Sequence, residues 1–126
     1  MAKKVAQAAR TAQLLRTGHS PNKVGVSLSE RLLIITLHGA LTRAEQVLSG
    51  TTAGAAKVQE FHRQLFAASS GELSREIKRI TGVEVTEATS LDLAAGGAAI
   101  QSCAEGTMVQ IFVLKELVAE ADWNAH

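Results

Sequence analysis

The sequence has few of the residues on which several common kinds of binding site depend. Its 126 residues include one cysteine, one proline, three phenylalanines, one tryptophan and no tyrosine. Aromatic residues are only 3% of the chain, whereas proteins that bind single-stranded nucleic acid stack its bases on exposed rings. We therefore expect neither that class of partner nor a sugar-binding cleft.

Disulfides and membrane-spanning segments are also not expected. Cys103 has no second cysteine to pair with, and no apolar signal sequence is present, so a reducing cytoplasm is the expected location. The longest uninterrupted apolar runs, such as Leu32 to Ile35, are far shorter than the ~20 residues of a membrane-spanning helix. We expect a soluble protein, and this expectation also holds for a protein that works at the inner face of a membrane.

The charge is nearly balanced overall but is unevenly distributed. The formal net charge is +1, so no global field favours nucleic acid or lipid. Five basic residues precede the first acidic one, Glu30: Lys3, Lys4, Arg10, Arg16 and Lys23. A basic N-terminal helix suits an anionic membrane or an acidic partner, although a solvated helix face is the more common explanation.

The first predicted elements are a helix and a hairpin. Residues 3–17 predict a helix ended by Gly18, with a stripe of Val5, Ala8, Ala9, Ala12 and Leu15 and with Arg10 and Gln13 outside it. Alternation in 24–28 and 33–38 predicts two strands, with a turn at 28–31. Thr42-Arg43-Ala44-Glu45 has the form of a capping box and predicts a helix start.

A long helical pattern follows, over residues 53–80. Its predicted buried stripe is Val58, Phe61, Leu65, Leu73, Ile77 and Ile80. Ser69-Ser70-Gly71-Glu72 resembles a second capping box, so a break is the alternative, but the stripe stays in phase and favours a continuous helix. Gly82 suits the left-handed position after the helix end.

The C-terminal third predicts a second hairpin. The patterns over residues 83–88 and 107–114 predict two strands. The Gly/Ala-rich residues 91–106 between them predict a loop that is flexible or functional, and residues 116–126 predict a tail with a helical turn. The order α-β-β-α-α-β-β predicts one α+β domain over 1–126. Its four-stranded, mainly antiparallel sheet should carry helices on one face.

The sheet's other face is a predicted interface. Both alternating sets of residues in 107–114 are apolar, and a large apolar face is normally covered. We place six residues on the outer face: Ile34, Thr36, Met108, Gln110, Phe112 and Leu114. A second copy, another partner or the N-terminal helix would cover them.

No motif predicts catalysis, a cofactor or a metal site. The histidines, His19, His38, His62 and His126, have no metal-ligand spacing and are expected to be structural or at the surface. Cys103 is better explained as a small filler than as a nucleophile. Gly96-Gly97 fits neither a P-loop nor a dinucleotide fingerprint.

Six segments together resemble a known family. In chain order they are Ser20-Pro21-Asn22-Lys23-Val24, the strand Leu32 to Leu37, Gly39-Ala40-Leu41-Thr42-Arg43-Ala44-Glu45, Phe61 with Leu65-Phe66, Ile80-Thr81-Gly82-Val83-Glu84-Val85 and Ile111-Phe112-Val113-Leu114. Their order and spacing resemble those of the MpsC-like family of small bacterial domains over most of residues 5–115. The resemblance assigns motif positions to Pro21, Lys23, Val24, Gly39, Leu41, Thr42, Glu45 and Gly82.

The resemblance implies a role beside membrane proteins. The family is named for a subunit of a sodium-translocating, membrane-potential-generating system tied to cation and bicarbonate uptake. It implies a non-enzymatic accessory or regulatory subunit that binds a transporter subunit. The homodimer is predicted separately, from the apolar outer face of the sheet. No catalytic residue carries over. The alternative is a ligand-sensing regulatory module with the 91–106 loop as a lid.

Overall fold

The structure is a computed structural model and describes residues 1–92 and 106–124. Its elements are α1 (Ala2–Thr17), β1 (Lys23–Ser29), β2 (Leu32–His38), α2 (Arg43–Leu48), α3 (Thr52–Thr81), β3 (Val85–Asp92), β4 (Thr107–Leu114) and α4 (Glu120–Trp123). The strands form one sheet in the order β1-β2-β4-β3, and every neighbouring pair is antiparallel. The predicted α+β fold and element order are confirmed.

The helices pack on one side of this sheet, as predicted. Leu33, Ile35 and Leu37 of β2 are fully buried. The same core cluster contains Val5 and Ala9 of α1, Phe66, Leu73 and Ile77 of α3, and Met108, Phe112 and Leu114 of β4. Since one face of β2 and β4 meets both long helices, the other face of these central strands points away from them.

The ends of the helices follow local sequence signals. Gly18 and Gly82 adopt left-handed φ angles of 75° and 78°, and each donates its backbone N–H to the helix it follows. Glycine has no Cβ, so it takes this conformation without strain. Both predicted helix ends are confirmed.

The buried stripe of α1 differs from the prediction. The sequence predicts Gln13 outside the stripe and Leu15 within it, but Gln13 is only 1% exposed, whereas Leu15 is 80% exposed. The buried positions Val5, Ala9 and Gln13 follow one another at four-residue steps. Their shared place on one face of the helix, rather than their hydropathy, therefore determines which residues are buried. Gln13 is tolerated there because its amide Nε2 donates to Met108 Sδ at 3.7 Å.

Helix α3 is continuous across 69–72, as predicted, but its stripe also differs. Phe61 is 52% exposed, while the neighbouring His62 is 3% exposed. Val58, His62 and Phe66 form the buried series at four-residue steps. The prediction that Phe61 lies in the stripe is therefore wrong, and a histidine takes the buried position.

Strand β3 lies later in the chain than predicted. It runs from Val85 to Asp92 rather than over 83–88, because Leu91 pairs with Val109 and Asp92 with Met108. The 91–106 loop prediction therefore begins two residues too early. Residues 93–105, including Cys103, lie outside the described residues, as does His126.

The predicted outer face contains four residues that the structure places inside. Met108, Gln110, Phe112 and Leu114 are at most 1% exposed and face the helices. The pairing shows why, since Leu37 lies opposite Met108 and Leu33 opposite Phe112. Directly paired residues lie on the same face. Ile34 and Thr36 do lie on the outer face, with Ile111 and Val109 as their partners.

Candidate functional site

The corner between β2 and α2 is built by a glycine and a capping box. Gly39 has φ 65°, and a Cβ there would lie 2.3 Å from the Asn22 side-chain nitrogen. The chain can then turn so that Thr42 caps α2: Thr42 Oγ1 accepts from Glu45 N at 3.2 Å, and Glu45 Oε1 accepts from Thr42 N at 2.9 Å. The predicted capping box is confirmed.

The second oxygen of Glu45 reaches the buried histidine of α3. Glu45 Oε2 and His62 Nε2 form a short hydrogen bond. Burial alone would raise the pKa of Glu45, but the Thr42 N–H and the His62 ring stabilise its anion more, and the net pKa is lowered. The Glu45 side chain therefore joins α2 to α3 as a carboxylate.

A buried chain of polar contacts continues from His62 across the core. His62 Nδ1 lies 3.1 Å from Met108 Sδ, and the same sulfur accepts from Gln13 Nε2. Gln13 Oε1 in turn accepts from Arg16 Nη1 at 3.4 Å. Contacts thus run from the start of α2 through α3 and β4 to the end of α1, and they fix the relative positions of these four elements.

Arg16 is a partly buried cation at the end of this chain. Its guanidinium carbon lies 5.6 Å from the centroid of the Phe66 ring, in cation–π geometry. Burial lowers the pKa of Arg16, and the charge of Glu72 offsets part of this effect. Arginine stays protonated in proteins. Arg16 forms no ion pair with a carboxylate among the described residues, and its Nε is buried without a partner there.

A cleft of about 470 Å³ lies where α1, α2 and α3 meet. We call it the three-helix cleft. Its polar lining residues are Arg16, Thr17, Thr42, Glu45 and Lys57. Its apolar lining residues are Leu48, Val58 and Phe61. This size is typical of pockets that hold small molecules.

The cleft offers a ligand two kinds of contact. The Glu45 carboxylate is bonded to the Thr42 N–H and to the His62 ring, so both side chains are already engaged in contacts within the protein. Within 1–92 and 106–124, no group of three or more His, Cys, Asp or Glu residues is placed to hold a metal ion. The groups that remain available in the cleft are cations and apolar surface.

The structure brings together only part of the predicted family positions. Leu41, Thr42 and Glu45 lie at the corner beside the cleft, with Leu41 1% exposed. The motif residue Pro21 is buried at the other side of the corner, where its carbonyl accepts from Arg10 Nη1. The remaining positions are more scattered: Lys23 and Val24 in β1, Gly39 at the corner, and Gly82 at the far end of α3.

His62, Arg16 and Lys57 were not singled out by the sequence as parts of one site. The capping box is a four-residue signal and is readable, whereas His62 lies 17 residues beyond Glu45. A signal was present in the four-residue series Val58, His62 and Phe66, which would have placed the imidazole on the core side. Hydropathy alone favours the neighbouring Phe61 as the buried residue instead.

Comparison with known proteins identifies a family. A family model described as "Na+-translocating membrane potential-generating system (MpsC)" matches residues 1–116. No curated protein and no solved structure matches. Among the helices of the described ranges, none combines the length and apolar character needed to cross a membrane. Since the match covers nearly the whole chain, the protein belongs to the MpsC family, whose name links it to a Na+-translocating system.

Proposed function

We propose that this protein is a non-enzymatic accessory or regulatory subunit of a Na+-translocating, membrane-potential-generating system. It works in the cytoplasm beside the membrane, supports cation or bicarbonate uptake through protein–protein contacts, and self-associates through its sheet. Family membership supports the system. The observation that carries the mode of action is the apolar outer face of the sheet.

That outer face is apolar along its centre. Ile34 of β2 and Val109, Ile111 and Val113 of β4 are half-buried there, and Leu32 is 43% exposed. Helices α1 and α3 and the α4 residue Trp123 pack on the opposite side, against the core cluster. A contiguous apolar face of this kind marks an interaction surface.

The pattern across the face favours a second copy as the occupant. At the β1 edge three successive outer residues after Lys23 are small: Gly25, Ser27 and Ser29. At the β3 edge they are larger: Glu87, Thr89 and Leu91. A two-fold axis parallel to the strands would place β1 of one copy over β3 of the other and the apolar centres together. Small residues then face large ones, as a self-complementary interface requires.

Purification from native membranes tests the proposal. The full-length tagged chain, expressed in its own cells and extracted in mild detergent, should recover integral subunits of the Na+-translocating system, identified by mass spectrometry. Ile111→Arg should lower this recovery, because it puts a charge at the centre of the self-association face. The control Ala67→Arg changes an exposed position on α3 and should leave recovery unchanged. Absence of transporter subunits with the wild-type chain would contradict the proposal.

A further inference from the structure

The lining of the three-helix cleft contains two cations and one carboxylate. Arg16 and Lys57 both line it, and neither forms an ion pair with a described carboxylate. Glu45 is the acidic residue in its lining, and its carboxylate is already bonded to the Thr42 N–H and to His62. The charge of Glu72 offsets only part of the effect of burial on Arg16, and Arg16 Nε is buried without a partner among the described residues, so a carboxylate that accepted from this N–H would be stabilised.

The cleft also has an accessible apolar part of its lining. Leu48 is 53% exposed and Phe61 52% exposed, although both are large hydrophobic residues. Val58 also lines the cleft and is buried. A ligand that covered this part of the lining would gain about 25 cal/mol for each Å² of apolar surface removed from water. An inorganic anion would leave that surface wet.

We propose that the three-helix cleft binds a small organic carboxylate, with its charged end at Arg16 and Lys57 and its apolar body against Leu48 and Phe61. The volume of about 470 Å³ accommodates such a molecule. Guanidinium groups bind carboxylates with good geometry because their N–H donors form a planar fork. Lys57 lies at the surface and supplies a second, mobile charge.

This site is independent of the self-association proposed above. The cleft lies between helices, and the helices pack on the side of the sheet opposite its outer face. The polar chain from Glu45 through His62 and Met108 to Gln13 and Arg16 holds the cleft walls in place. Ligand binding and membrane association can therefore fail or succeed separately.

Titration of the full-length chain with three probes, followed by backbone amide NMR, tests the proposal. Phenylacetate carries both the charge and the apolar body, acetate only the charge, and 2-phenylethanol only the apolar body. We expect saturable shifts with phenylacetate at residues such as Thr17, Thr42 and Lys57. Acetate and 2-phenylethanol should bind at least about tenfold more weakly, since each lacks one of the two contacts.

Charge-removing variants locate the binding site. Arg16→Gln should raise the phenylacetate Kd about tenfold and Lys57→Gln about threefold, the latter less because an exposed charge interacts weakly. The matched control Lys3→Gln, at the far end of α1, should leave the Kd unchanged. If Arg16→Gln does not fold, the phenylacetate Kd of Lys57→Gln tests the proposal on its own. Equal affinity for 2-phenylethanol, absence of saturable shifts, or an unchanged Kd in the cleft variants would overturn the proposal.

Discussion

At the residue scale, Glu45 has the environment with the clearest consequence for stability. Its carboxylate is partly buried, yet the Thr42 N–H and the His62 ring lower its pKa below the ordinary value of 4.5. A carboxyl group whose pKa is lower in the folded state than in the unfolded state stabilises the fold above the unfolded pKa. That contribution is lost as the pH falls through the folded pKa.

Glu45→Gln should therefore destabilise the protein in a pH-dependent way. Glutamine keeps the size of the side chain but removes the anion that accepts both hydrogen bonds, at a cost of about 1 kcal/mol near neutral pH. As the pH falls below the unfolded-state pKa and through the lower folded-state pKa, the contribution of the wild-type carboxylate is lost, so the difference between the two proteins should shrink. Urea unfolding near pH 7 and near pH 3.5 measures both differences.

Glu60→Gln is the matched control for that comparison. Glu60 pairs with Arg63 at 2.8 Å on the surface of α3, and its side chain is 50% exposed. Exposed pairs contribute little, so this variant should differ only slightly from wild type at either pH. If Glu45→Gln were equally destabilising at both pH values, the carboxylate charge would not be the source of its effect.

The residues around Glu45 also show which contacts a sequence discloses. The Thr42–Glu45 contacts are predictable, because a capping box closes within one helical turn. The bond to His62 depends on how α2 packs against α3, and no local pattern encodes that packing. The contact of Met108 with Gln13 spans 95 residues, so it follows only from the complete fold.

At the scale of elements, α3 contains a glycine that the helix does not need. Gly71 lies in the interior of the helix and is exposed, and a Cβ there would meet only Arg75 Nη1, at an ordinary 3.8 Å. Gly71→Ala should raise the free energy of unfolding by about 0.5–1 kcal/mol, because alanine loses less backbone entropy in a helix. Thermal unfolding should show a Tm higher by about 3 °C.

Gly54 in the first turn of α3 provides the opposite case. A Cβ there would lie 1.8 Å from the carbonyl oxygen of Leu48 and 2.9 Å from Thr51 Oγ1, which caps the helix. Gly54→Ala should therefore lower stability by more than about 1 kcal/mol. If both alanine variants changed the Tm in the same direction, close backbone approach would not distinguish the two glycines.

Helix existence and helix ends were predictable, whereas strand limits and buried faces were less so. Alanine content and the glycines at 18 and 82 encode α1 and α3 locally. The end of β3 depends on the pairing of Leu91 with Val109, and no local feature marks it. The buried stripes of α1 and α3 include Gln13 and His62, which find polar partners only after folding.

At the scale of the whole molecule, the outer face shows how period-two patterns can mislead. Alternation in β4 separates its residues into two sets, but both sets are largely apolar. The sequence therefore does not say which set faces the helices. Pairing with β2 decides it, because Leu33, Ile35 and Leu37 face the core and bring Phe112, Gln110 and Met108 with them.

Self-association through the outer face of the sheet can be measured directly. The wild-type chain should have twice its monomer mass by light scattering coupled to size exclusion. Ile111→Arg should shift it toward the monomer, because Ile111 lies between Ile34 and Thr89 near the centre of the face. The Ala67→Arg control should remain a dimer. A wild-type monomer across the concentration range would contradict self-association.

The orientation of the two copies can be tested at one pair of positions. Gly25 has space beside it, since a Cβ there would meet only Thr36 Cβ at 3.9 Å, so Gly25→Leu should leave the monomer folded. With the two-fold axis parallel to the strands, the new side chain would collide with Leu91 of the second copy, which is 49% exposed. The dimer Kd should rise about tenfold, equivalent to about 1.4 kcal/mol.

Leu91→Ala in the same chain should restore part of that affinity, because it removes the opposing side chain. The coupling between the two changes, measured as a double-mutant cycle by sedimentation equilibrium, should then be non-zero. The free-energy effects of substitutions are coupled when the residues face each other across an interface, whereas the effects of distant substitutions add. Strict additivity of Gly25→Leu and Leu91→Ala would exclude this orientation. A dimer that persists with additive effects would place β1 opposite some other strand of the second copy.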